Sequence, residues 1–238
     1  MWQVLKTQKR QVTAAVRGLK REIMLMSMFT HPHILRAIAL GHQDDSVPFV
    51  VLERLQCTLR QELPDDPDSV PFWVTWKQKR NWPLERAIDC GRQLASALEY
   101  CHSLALPDYC VLHRDIKPQN IGFMPRTPAD PPPSKGRPAH VGRLVIFDFG
   151  LACMWKKSDE EDVLKKTEMR PLSGECGSLR YMAPEVALSQ SYNHLAEVFS
   201  FATVLWEMCA LKLPFAAFLE DAFKRALIAG FRPELKKK

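Results

Sequence analysis

Within the ten residues Val111-Leu-His-Arg-Asp-Ile-Lys-Pro-Gln-Asn120 the chain places an acid, a cation and an amide close together. Asp115, Lys117 and Asn120 stand at i, i+2 and i+5. That spacing is too irregular for one helix face and too tight for separate elements, so it predicts a rigid loop. Pro118 fixes its own φ and biases Lys117 away from the helical region, which lets the three polar groups converge. Downstream, Leu144-Val-Ile-Phe-Asp148-Phe149-Gly150 reads as a short apolar strand that delivers a second carboxylate and then a turn. Two acids and an amide oxygen are hard donors suited to Mg²⁺, which completes its shell with water and phosphate.

His113-Arg114-Asp115 with Lys117 and Asn120, then Asp148-Phe149-Gly150, then Ala183-Pro184-Glu185 resemble parts of eukaryotic protein kinases, in the same order. Those parts are the catalytic loop, the metal-binding turn and the end of the activation segment. One triplet alone is weak, but three in order are specific. The resemblance implies a two-lobed α+β fold over essentially the whole chain, with a small β-rich N-lobe, a mostly helical C-lobe and ATP between them. It implies that Asp115 accepts the proton of a substrate hydroxyl, that Asn120 and Asp148 hold Mg²⁺, and that Lys117 steadies the transferred phosphoryl group. Phosphoryl transfer asks mainly for positioning and charge neutralisation, and these residue types supply both. Lys117 points to serine or threonine as acceptor. Gly177 to Glu185 resembles the substrate-positioning turn, with Ser178 where threonine is commoner, in reach of Asp115 and Lys117. Ser200-Phe-Ala-Thr-Val-Leu-Trp-Glu-Met208 resembles the tyrosine-kinase-like group of serine/threonine kinases.

At 238 residues, 46% apolar and 25% charged, the chain can bury a sizeable core. No charged n-region with an apolar stretch and cleavage site is evident, so no signal peptide is expected. The longest apolar-rich stretch, 198–219, is broken by Glu207, Lys212 and Pro214, which argues against a membrane span. Seven cysteines without a CxxC pair point to reduced thiols and an intracellular setting, cytoplasm or nucleus. The net charge of +6 is dispersed and lacks an aromatic ladder, so nucleic acid is not an expected partner.

Residues 1–53 are expected to form a partial N-lobe, 54–56 the hinge and 57–238 the C-lobe, with insertions near 64–83 and 125–141. Lys6 resembles the strand-three lysine of the family, which implies an ion pair with Glu22. No glycine precedes Gly18, so the Gly-rich lid over the ATP phosphates is missing from this sequence. Residues 13–28 read as a core-facing helix through Val16, Leu19, Ile23 and Met26, its methionines serving as core filler. Val47 to Leu52 reads as a buried strand leading to the hinge. By resemblance Leu52 is the gatekeeper, and the backbone of Glu53 and Leu55 binds the adenine edge. After three tryptophans in 64–83, Pro83 starts a helix whose buried face reads Leu84, Ala87, Ile88, Gly91, Leu94, Ala95, Leu98, Cys101.

Gly122 stands where the family places a leucine under the adenine. The segment 151–179 is polar and charged. Arg114 can pair there with a phosphate on Thr167 or Ser173, which implies an upstream activating kinase. Residues 195–211 are apolar nearly all round and predict a central buried helix. In it Glu197 replaces the aspartate that braces the catalytic loop in the family, and its extra methylene is expected to shift the oxygen or the loop. The sequence stops before the last helices of a kinase domain, a region whose arginine pairs in the family with the glutamate matched by Glu185. The expected function is therefore an ATP- and Mg²⁺-dependent protein serine/threonine kinase, weak as a fragment truncated at both ends. A pseudokinase or scaffold is the rival, and a small-molecule kinase is disfavoured by Ser178 and Ala183-Pro184-Glu185.

Overall fold

The computed structural model describes residues 18–43, 47–64, 82–128, 130, 141–157, 178–218 and 220–234. Lys6, Thr167 and Ser173 lie outside the described residues, as do most of the two insertions and the start of the helix expected over 13–28. Residues 18–28 form helix α1, which buries Leu25 and Met26 beside Phe29. Met24 and Met28 are exposed, so of these three methionines only Met26 is core filler.

Strands β1 (Ala37–Gln43) and β2 (Val47–Leu52) pair antiparallel. The expectation of a buried β2 is corrected: Phe49 and Val51 are exposed, as are Ile38 and Leu40 on β1. A two-stranded ribbon buries a face only where another layer covers it. Among the described residues that layer is not seen.

The sheet that sets the cleft is β3 (Cys57–Thr58), β5 (Ile121–Pro125) and β6 (Val141–Ile146), in the order β3-β5-β6, all antiparallel. Its register pairs Ile121 with Ile146, so the residue before β5 and the residue after β6 come side by side. Phe147 N–H accordingly donates to Asn120 O at 3.1 Å. Two motifs separated by an insertion thus meet because the hairpin is antiparallel, whatever the loop between its strands does. Part of the expected loop is strand: β4 (Tyr109–Leu112) pairs antiparallel with β7 (Cys153–Lys156). The loop proper then runs to a 3₁₀ turn at Pro118–Asn120.

Helix α2 (Leu59–Glu62) opens with a capping box from Thr58 and Gln61. Helix α3 (Leu84–Glu99) continues into a π-turn at Tyr100–Leu104. The apolar stripe expected on α3 is rotated: Leu84 and Ile88 are exposed, whereas Arg86 and Gln93 are buried among Ala87, Cys90, Leu94 and Leu98. Partners remote in sequence explain the phase. Arg86 pairs with Glu62 at 2.6 Å and stacks 4.0 Å from the Trp82 ring centroid, while Gln93 accepts from Leu144 N–H at 2.8 Å. A buried cation is tolerated when paired and stacked in this way.

Helix α4 (Pro184–Ala187) and helix α5 (Leu195–Ala210) follow, then α6 (Glu220–Ile228). The reading of α5 as buried all round is also corrected. Leu195 and Val198 are exposed while Glu197 and Glu207 are buried at 3% and 2% exposure. Both acids face specific partners, Glu197 the Arg114 N–H and His102, and Glu207 the Tyr181 hydroxyl. No helix among the described residues is long and apolar enough to cross a membrane. The six described cysteines are free thiols.

Candidate active site

Asp115 is 8% exposed, and its two carboxylate oxygens differ. Oδ2 receives Lys117 Nζ at 2.7 Å and Asn120 Nδ2 at 2.9 Å, and Asn120 Nδ2 also donates to Asp115 O at 3.0 Å. Oδ1 is buried and makes no hydrogen bond. A buried carboxylate oxygen without a donor is costly unless a ligand supplies one. Asp115 lines a pocket with Ile116, Ser178, Tyr181, Met182 and Ala183. Lys117 Nζ also donates to Ser178 Oγ at 2.8 Å. Of the two contacts expected for Ser178, the one to Lys117 is present, and Lys117 bridges Ser178 to Asp115 in place of a direct bond between them.

The loop is braced from beneath. Arg114 adopts a left-handed φ of 67°, a conformation that costs a non-glycine residue about 1–3 kcal/mol unless its surroundings hold it. Glu197 supplies that hold: its Oε1 accepts Arg114 N–H at 2.6 Å and its Oε2 lies 2.6 Å from His102 Nε2. The extra methylene of Glu197 does not break the brace. Burial alone pushes the Glu197 carboxyl upward, but the His102 hydrogen bond, the neighbouring His102 and His113 and the Arg114 N–H outweigh it and hold it below the usual range. His113 Nε2 bonds Phe147 O at 2.9 Å, and Phe149 packs between Phe29 and His113, with ring centroids 5.0 and 4.7 Å away. The guanidinium of Arg114 donates to Leu151 O at 2.7 Å and to Tyr192 Oη at 3.3 Å.

Asp148 is exposed, also at a left-handed φ, 68°, with Gly150 N–H donating to its Oδ1 at 3.3 Å. Because Asn120 commits its Nδ2 to Asp115, its Oδ1 is turned away from that carboxylate. An amide oxygen and a carboxylate on adjoining backbone suit a hard divalent cation, and the donor set fits Mg²⁺. Glu22, half-buried on α1, reaches the same turn and accepts Phe149 N–H. Burial first and the charge of Asp148 second raise its pKa. Its expected partner, Lys6, is outside the described residues. Between β2 and β3, Glu53 N–H donates to Arg36 O at 3.1 Å and Gln56 N–H to Phe123 O at 2.8 Å, which fixes both ends of the segment carrying Leu55. Glu185 sits half-buried on α4 and forms no ion pair among the described residues.

Sequence reasoning missed His102 and Tyr192, and also the buried pair of Tyr181 and Glu207 with the half-buried Arg60 beside it. Tyr181 Oη donates to Glu207 Oε2 at 2.7 Å, and Arg60 lies 3.8 Å from Glu207 Oε1. The available signal was a carboxylate inside an apolar helix, which calls for a partner wherever it is buried.

A carboxylate steadied by a lysine and an asparagine stands just before β5, and a second acid stands on the turn just after the neighbouring strand β6. The protein kinase domain matches residues 3–232, and the chain belongs to that family. Its fold is the family's, small antiparallel strands in one lobe and a mostly helical second lobe. Among similar proteins, Serine/threonine-protein kinase VIK of Arabidopsis thaliana is 28% identical over 223 residues, 94% of this chain and 43% of the relative. Putative mitogen-activated protein kinase kinase kinase 7-like of Drosophila melanogaster is 29% identical over 200 residues, 84% of this chain and 40% of the relative. Serine/threonine-protein kinase TNNI3K of Homo sapiens is 26% identical, over 82% of this chain and 19% of the relative. The chain thus spans about two fifths or less of the length of these relatives.

Proposed function

We propose that this chain is a catalytic domain that transfers the γ-phosphate of ATP to a serine or threonine hydroxyl of a protein, acting in the cytoplasm. The observation that carries the reading is the asymmetric Asp115 carboxylate, one oxygen engaged by Lys117 and Asn120 and the other buried and unpartnered. Oδ1 takes the proton of the incoming hydroxyl as the hydroxyl oxygen attacks the γ-phosphorus, and the bond from that phosphorus to the β,γ-bridging oxygen breaks to release ADP. Lys117, already on Oδ2, stands where it offsets charge on the transferred group, and Ser178 fixes its ammonium. Asn120 Oδ1 and the Asp148 carboxylate would hold Mg²⁺, which neutralises the phosphate oxygens when bound. Glu53 and Leu55 offer backbone groups to the adenine edge, and Lys6 with Glu22 positions the phosphates. Arg114 would bind a phosphate placed on Thr167 or Ser173 by an upstream kinase, exchanging part of its hold on Leu151 O and Tyr192.

Calorimetric titration with a non-hydrolysable Mg²⁺–ATP analogue tests the site. The chain is expected to bind the analogue more tightly with Mg²⁺ than without. Asp148→Asn should erase that difference, because it removes the charged metal ligand. An Asp148→Asn protein with undiminished Mg²⁺ dependence overturns the assignment.

A further inference from the structure

We infer that Leu55 and Phe147, from two different segments, form the apolar plate that holds the purine base in this chain, with Gly122 vacating the space that Leu55 occupies. The inference rests on the nucleotide site proposed above and assigns a side-chain role to Leu55, beyond its backbone.

Gly122 is buried in β5, paired with Thr58 on β3 and Val145 on β6. A glycine in the middle of a three-stranded sheet forfeits side-chain packing and marks a close approach by something else. Here the approach is by side chains. A Cβ added at Gly122 would stand 2.9 and 3.0 Å from the two terminal carbons of Leu55 and 3.2 Å from Phe147 Cε1. The volume that a larger residue at 122 would fill is therefore taken by a leucine delivered from the segment between β2 and β3.

Leu55 and Phe147 are each only partly buried, packed on the core cluster with accessible surface left over. Both are also held in place through their backbones. Glu53 and Gln56 anchor the connection on either side of Leu55, while Phe147 donates its N–H to Asn120 O and accepts from His113 Nε2. The plate thus shares a backbone anchor with Asn120, which is proposed to hold the metal. A planar heteroaromatic face over aliphatic and aromatic carbon is favourable through the apolar area removed from water.

A role through the side chain of Leu55 predicts a defect confined to the base. The chain and its variants are titrated with adenosine, with the non-hydrolysable Mg²⁺–ATP analogue, and with Mg²⁺–tripolyphosphate, which has no base. Leu55→Ala should weaken adenosine and the ATP analogue about tenfold, the order of two buried methylene equivalents, and leave tripolyphosphate unchanged. Gly122→Leu alone should lower the melting temperature, because the new side chain collides with Leu55. The double variant Leu55→Ala/Gly122→Leu should regain both stability and adenosine affinity, since the total volume is restored. Unchanged adenosine affinity in Leu55→Ala would leave Leu55 with a backbone role only and overturn the inference. Equal loss of tripolyphosphate would overturn it too, as a general perturbation of the cleft. Failure of the unaltered chain to bind adenosine or the ATP analogue would instead sink the nucleotide-site reading on which the inference stands.

Discussion

Asp115, Lys117 and Asn120 hold one another through contacts of 2.7, 2.9 and 3.0 Å, and Glu197 fixes their loop from below. Leu55, on the connection between β2 and β3, holds its place through apolar contact over Gly122 beside Phe147. The two regions would serve the two ends of one nucleotide, yet they differ in what they allow. Directional hydrogen bonds to buried charge depend on both the identity and the position of each partner. Dispersion contact depends on volume and shape, so a side chain can be supplied from another segment if the sum is kept. The loop therefore tolerates little exchange of its polar residues, whereas the packing over Gly122 can be rebuilt from another segment.

The sharpest way to break the contrast is to remove the brace. Glu197→Ala deprives Arg114 N–H and His102 of their acceptor in a buried setting, and is expected to cost about 3–5 kcal/mol. Glu197→Asp keeps the charge and should recover much of that loss. Thermal melts of the three proteins check this, and equal stability of the alanine and aspartate variants would show that the brace acts by volume and not by charge.

A second polar site responds to pH. Burial raises the pKa of Glu207 from 4.5 to about 7, although the Tyr181 hydroxyl, Arg60 and Arg180 pull it down. The folded value lies above the unfolded one, so the folded chain binds more protons between them. The stability contributed by Glu207 is fully present below 4.5 and is lost as pH rises through about 7. The melting temperature of the unaltered chain minus that of Glu207→Gln should therefore fall across that interval and level off above it. A pH-independent difference contradicts the burial argument. The smallest effect is expected on the β1–β2 ribbon, where Ile38 is 58% exposed: Ile38→Thr should change stability by less than about 0.5 kcal/mol. A loss several times larger would mean that another layer covers this face.

The polar loop was legible in the sequence because Asp115, Lys117, Asn120 and Asp148 occur as types and spacings that the chemistry requires, and the β5–β6 register then brings them together. Helix existence was legible for the same reason that periodicity is. The phase of α3 was not, because the burial of Arg86 depends on Glu62, 24 positions earlier, and on Trp82. Likewise Glu197 stood out as a departure from the family, but its partner His102 lies 95 residues away and no local pattern announces it. The packing of Leu55 over Gly122 was hidden because a vacancy at one position is filled from another.

The most direct test of the central claim is steady-state phosphorylation of a generic basic protein by the chain and by its Asp115→Asn variant, with Mg²⁺–ATP varied. Asn keeps the shape of the side chain and removes the proton acceptor. The account predicts phosphate on serine or threonine from the unaltered chain, with kcat lowered about 100-fold or more in Asp115→Asn and the ATP KM little changed. Near-normal kcat in Asp115→Asn, or a defect confined to KM, would contradict it.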